Sequence, residues 1–137
     1  MLAVILSVAL AAPAQSPATP SGTEAGPMVG HMVYFTLKDR TPAARDKLAA
    51  SCTELLGDLD GVTFFAAGTL PEKASEPALN DRDFDVALQV VFASKSALDA
   101  YAKHPNHVKF VEANRASWAK VRVFDSVFPA GKKTGAK

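Results

Sequence analysis

The sequence predicts an α+β domain of the ferredoxin-like kind: a four-stranded antiparallel sheet with helices on one face, its elements running β-α-β-β-α-α-β. Two observations carry this reading. Segments rich in β-branched and aromatic residues alternate with segments whose apolar residues recur at helical spacing, and turn or cap residues stand at the junctions. The strands are also apolar on both sides, a pattern that a sheet with one face in water does not show.

Residues 29–37 are the first strand, closed by Lys38, Asp39 and Arg40. Thr41 then caps a helix with Pro42 in its first turn, along which Leu48, Cys52, Leu55, Leu56 and Leu59 form an apolar stripe until Asp60 and Gly61 stop it. Residues 62–70 are the second strand, and residues 71–83, with two prolines and an Asn-Asp pair, a long loop. Residues 84–92 read as the third strand. Ser94 caps a short helix bearing Leu98 and Tyr101 on one face, Pro105 breaks it, and a further helix carries Val108, Val111, Arg115 and Trp118. Residues 121–128 close the sheet.

In the first strand His31, Val33, Phe35 and Leu37 share a face and Met32 and Tyr34 lie on the other; in the third, Phe84, Val86, Leu88, Val90 and Phe92 oppose Ala87 and Val91. Helices cover one face only. Leaving the other set in water forfeits about 1.5 to 3 kcal/mol per large side chain, and an identical sheet is the simplest cover. The expected assembly is therefore a homodimer in which two sheets close into a dimeric α/β barrel. Val33, Phe35, Val86 and Leu88 are expected to be the set that the partner sheet buries; if they face the helices instead, the partner buries the opposite set.

The chain has 137 residues, enough for one domain of about a hundred residues between polar ends. Residues 1–14 read as a signal peptide: an apolar run over residues 2–12 is about half of the ~20 residues that a bilayer span requires, and Ala12, Pro13 and Ala14 supply a small-x-small cleavage pattern. The run lacks a cationic start, the first Lys or Arg being Lys38. Residues 15–27 form a flexible linker, 28–128 the folded domain and 129–137 a disordered tail. The expected location is periplasmic or extracellular, with no stable membrane span. Fifteen Lys and Arg against 14 Asp and Glu give a net charge of +1, which directs no strong field at nucleic acid. The single cysteine, Cys52, excludes an intrachain disulfide, and its place on the apolar stripe points to burial.

His31, His104 and His107 are the scarce reactive residues. His107 follows the proline break, where the free N–H groups of a restarting helix disfavour an imidazolium, so a neutral ring can serve as a general base near pH 7. Tyr101, about two helical turns earlier, can donate a hydrogen bond to a developing enolate. The competing reading is structural: the His-Pro-x-His turn closes one helix and starts the next, and for His104 this capping role is the expectation. His31, on the parity of Val33 and Phe35, points into the barrel with them; a lone histidine on an apolar face is more often a satisfied core residue than a ligand. Tyr101, His107 and His31 are expected to converge on one apolar cavity lined by Val33, Phe35 and Val86. No metal site is expected, because Pro105 disrupts the helical register that could align His104 with His107, and no cofactor signature is present. Trp118 reads as core. Asp125, alternating with Val123 and Val127, is either an edge residue or an inward hydrogen-bonding acid.

The segments His31-Met32-Val33-Tyr34-Phe35-Thr36-Leu37-Lys38, Val91-Phe92-Ala93-Ser94 with Leu98, Tyr101-Ala102-Lys103-His104-Pro105-Asn106-His107-Val108 and Val123-Phe124-Asp125 resemble the stress-responsive A/B barrel proteins of the dimeric α/β-barrel superfamily. The resemblance covers residues 28–128 and implies the dimeric barrel argued above. It also implies candidate roles, since a plant polyketide cyclase of this kind uses a tyrosine and a histidine of the same run for an intramolecular aldol condensation. Those roles fall on Tyr101 and His107, and that enzyme's strand histidine on His31. A further pocket histidine falls on Val86, an apolar replacement.

Two functions follow as expectations: an exported domain that binds a small apolar ligand in its barrel, and a cofactor-free lyase or cyclase acting on a carbonyl-rich, polyketide-like substrate with His107 as base and Tyr101 as donor. For export, N-terminal sequencing of protein from the native host is expected to begin near Gln15; recovery of intact Met1 overturns cleavage.

Overall fold

A computed structural model describes residues 26–129. The expected signal peptide, most of the expected linker and the expected tail beyond Pro129 lie outside the described residues. The elements are β1 (Met28–Leu37), α1 (Pro42–Leu56), β2 (Val62–Thr69), β3 (Val86–Phe92), α2 (Lys95–Lys103), α3 (Pro105–Asn114), a short 3-10 turn (Arg115–Ser117) and β4 (Trp118–Phe128). The sheet runs β2-β3-β1-β4 with every pairing antiparallel, the ferredoxin-like order. Within the chain it stays open, with β2 and β4 as its edges. No helix among the described residues is long and apolar enough to cross a membrane.

Local chemistry sets the boundaries. Thr41 and Ser94 cap α1 and α2 by accepting from the N–H groups of Ala44 and Ala97. Gly61 turns the chain into β2 with φ of 82°, and a Cβ there would lie 2.6 Å from the Ala97 side chain. Two expectations need correction. The last helix ends at Asn114, and Trp118 opens β4 rather than lying on that helix; its ring packs on Phe35 and Phe110, with centroids 5.1 and 6.0 Å away. Phe84 lies outside β3 and packs edge-on against Tyr34 at 5.1 Å, on the face opposite to Val86, because the backbone at Phe84 and Asp85 has not yet taken up the strand alternation.

Burial corrects the expectation that a partner sheet covers Val33, Phe35, Val86 and Leu88, because the helices already cover them. Val33, Phe35, Val86 and Leu88 pack with Leu48, Cys52, Leu56, Leu98, Tyr101 and Phe110 in the core beneath the helices. The opposite set, Met32, Tyr34, Ala87, Gln89 and Val91, together with Phe64 and Phe124, forms the helix-free face.

Asp85 ties the end of the sheet to α1. Its side chain is wholly buried and accepts from the Leu37 backbone N–H at 2.9 Å, Arg40 Nε at 3.0 Å and Arg45 Nη2 at 2.8 Å. Its own backbone bonds Phe35 and Leu70, so one residue joins β1, the end of β2 and the start of the first helix. Burial opposes the charge, but the backbone N–H and the two guanidinium groups prevail and hold the carboxyl below its ordinary 3.8. Such an acid stabilises the fold fully above its unfolded value and loses that contribution as pH falls below it. Asp85→Ala is expected to lower the stability of the fold by about 3 kcal/mol at neutral pH, the low end for a broken buried pair because both arginines can turn to water. Urea unfolding measures this, and the gap from wild type should narrow below pH 3.8.

Candidate functional site

The site is built where β1, β4, α2 and the start of α3 meet. Strand parity carries His31 to the helix side, and its neighbour across the sheet is Asp125. His31 Nδ1 lies 2.7 Å from Asp125 Oδ1. A carboxylate accepts, so His31 Nδ1 carries the proton of this bond. The acid is half exposed, the imidazole mostly buried. Asp125 thus takes the inward hydrogen-bonding role, one of the two alternatives that alternation allowed.

Tyr101, on the buried face of α2, links the two histidines. Its ring centroid stands 6.0 Å from that of His31, 4.8 Å from that of His107 and 4.9 Å from that of Phe92. Burial pushes its phenol well above the ordinary value of 10.0, so it is a protonated donor throughout the physiological range. No protein hydrogen bond to its hydroxyl forms among the described residues. His107 is half-buried, and burial is the main cause that lowers its pKa from 6.5; the nearby His31 adds to this, and the Ala102 backbone carbonyl opposes it. A half-buried imidazole kept neutral at pH 7 next to a protonated phenol is a base and donor pair.

His104 does something else. It ends α2 and caps α3, its Nδ1 accepting the Asn106 N–H at 3.1 Å, with Pro105 at the first helical position. This is the capping role expected for it, and it sets the bend that brings His107 over Tyr101.

The structure therefore brings Tyr101, His107 and His31 into one cluster, but none of the three lines the hollow beside it or the one on the opposite face of the sheet, so the expected convergence on a cavity is corrected to a contact among rings. Val33, Phe35 and Val86, the expected cavity lining, instead pack into the core at 5%, 2% and 0% exposure, away from the hollow beside the cluster and the one on the opposite face of the sheet. The hollow beside the cluster, about 460 Å³, lies between β1, β4 and α2 and is lined by Val29, Leu98, Asp125 and Val127, with Ser94 and Lys95 at its rim. Sequence reasoning left Asp125 between an edge position and an inward hydrogen-bonding role; its position opposite His31 depends on the β1–β4 register. Cys52 takes no part, since burial pushes its thiol up to about 12.

The profile of the Stress Responsive A/B Barrel Domain matches residues 29–128. The chain belongs to this family. Among solved structures, a Dabb-family protein with a ferredoxin-like fold from Mesorhizobium loti is 25% identical, with a TM-score of 0.61 over 77% of this chain and 99% of that one. A dimeric ferredoxin-like protein of unknown function from Thermobifida fusca is 17% identical, with a TM-score of 0.64 over 75% and 92%. A hydroxynitrile lyase from Passiflora edulis is 19% identical, with a TM-score of 0.60 over 77% and 96%. The last two likenesses are of fold. Among curated proteins, none matches this chain.

Proposed function

We propose that this Dabb-family domain is an exported homodimer that binds a small, largely apolar carbonyl compound beside Tyr101 and moves a proton on it without a cofactor. The observation that carries the reading is the contact of a neutral, half-buried His107 with the buried phenol of Tyr101, with His31 held alongside by Asp125. In this scheme His107 takes a proton from the carbon next to the carbonyl. Tyr101 donates a hydrogen bond to the enolate oxygen that forms, and Asp125 keeps His31 turned toward the phenol. The Passiflora edulis structure, a hydroxynitrile lyase, is an instance of lyase chemistry on a similar fold. Binding without turnover is the second reading, favoured by the apolar walls of the neighbouring hollow.

The pairing of two copies is supported by what the chain leaves uncovered. Phe64, Phe124 and Phe128 are exposed on the helix-free face, and Val121, Val123 and Val127 on the other side of the edge strand β4. The Thermobifida fusca relative is described as dimeric.

Solvent-deuterium exchange into the methylene group of phenylacetone, followed by proton NMR, tests the chemistry without the natural substrate. The wild-type protein is expected to accelerate exchange, and His107→Ala to lose roughly 10²- to 10⁴-fold of that acceleration while remaining folded. Because protonation silences the base and its pKa is lowered, the acid limb of the rate profile should lie below pH 6.5. Equal exchange by His107→Ala and wild type overturns the reading. For the assembly, light scattering at micromolar concentration should give the mass of two chains, and Phe64→Glu should give one. A folded wild-type monomer overturns the dimer.

A further inference from the structure

On the opposite face of the sheet, residues 70–85 cross from the edge strand β2 to the other edge, β4. Asp81 Oδ2 meets Arg122 Nη1 at 2.7 Å and Asp83 Oδ2 meets Lys120 Nζ at 3.0 Å, both cations standing on β4. The Asp83 backbone carbonyl also accepts from Arg122 Nη2 at 2.9 Å and from Thr36 Oγ1 at 2.9 Å. Between this segment and the strands lies a hollow of about 930 Å³, within the range of small-molecule sites.

Its shape comes from the small residues beneath it. Ala66, Gly68 and Ala87 line it from β2 and β3, and a Cβ built on Gly68 meets nothing within 4 Å. Beside them stands an aromatic wall in which Tyr34 packs edge-on against Phe84 at 5.1 Å and Phe124 at 6.0 Å. Its charge comes from Lys73, Arg82 and Arg122, with Asp81 as the acid in the lining. Lys73 forms no ion pair among the described residues. Arg122 Nε is the buried donor in this lining that has no hydrogen-bond partner there.

The geometry points to a second ligand site, on the helix-free face and separate from the His107 cluster, that takes a flat aromatic carboxylate. The ring lies over Ala66, Gly68 and Ala87 against the aromatic wall, and the carboxylate faces the excess of cations. In the homodimer the second copy closes over this face, so the site becomes internal to the barrel. The inference deepens the expectation of a barrel ligand and does not depend on the proton-transfer chemistry.

Isothermal titration of the full-length protein with 2-naphthoate tests it. Saturable binding at one site per chain is expected. The neutral 2-naphthalenemethanol should bind about tenfold more weakly, since a charge-assisted contact is lost. Gly68→Leu fills open space without strain and should weaken naphthoate binding by tenfold or more, as should Ala87→Leu if the first variant does not fold. His107→Ala should bind naphthoate as wild type does. The proposal is overturned by absent binding, by equal affinity for the neutral probe, by unchanged binding in a folded filled variant, or by loss of binding in His107→Ala, which places the probe on the helix side. Conversion of Gly68→Leu to a monomer in light scattering also overturns it, because the hollow is then contact surface between copies.

Discussion

Four strands present two faces and the helices reach only one of them, so every residue of the sheet is committed by the parity of its position. On the helix side, β1 and β3 supply Val33, Phe35, Val86, Leu88, Val90 and Phe92, all buried against α1, α2 and α3. A shift of one residue in either strand would exchange this set for Met32, Tyr34, Ala87 and Gln89 and send His31 to the wrong side of the sheet. The chemistry of the candidate site and the integrity of the core thus rest on the same register.

That register is held at one end by a charge. Asp85 lies where strand alternation begins, and its carboxylate gathers donors from Leu37, Arg40 and Arg45. Burial of an acid is costly, and three donors offset the cost only in one geometry. The bond from the Asp85 N–H to Phe35 starts the β1–β3 ladder, whose register then runs through Phe35 and Val86 to Val29 and Phe92. Beyond Phe92, Ser94 caps α2 and so orients Leu98 and Tyr101 toward the sheet.

The two ends of the His-Pro-x-His run have separate tasks. His104 satisfies an otherwise free N–H at the start of α3, while His107, one turn on, lies against the Tyr101 ring. A capping reading and a chemical reading of this motif are therefore compatible, because they concern different rings. On the far face, small residues of β2 and β3 and a segment tied to β4 by ion pairs make a hollow where close-packed side chains could otherwise have lain.

By itself, the sequence determined the order and type of the elements, because caps at Thr41 and Ser94, the breaks at Gly61 and Pro105 and the periodicity of the apolar residues are local signals. It also determined that both faces of the sheet are apolar, and that Tyr101, His107 and His31 are the residues to watch. Only the tertiary structure decided which apolar face the helices take, since either parity is consistent with alternation, and it moved Val33, Phe35 and Val86 from a cavity lining to the core. It also gave Asp85 and Asp125 their roles. An acid within an apolar run is a legible sign of a buried ion pair, but its partners, Arg40 and Arg45, lie at least 40 residues away in the chain. The partner of Asp125 is 94 residues away. Contacts of that separation depend on strand pairing, which composition and spacing do not encode.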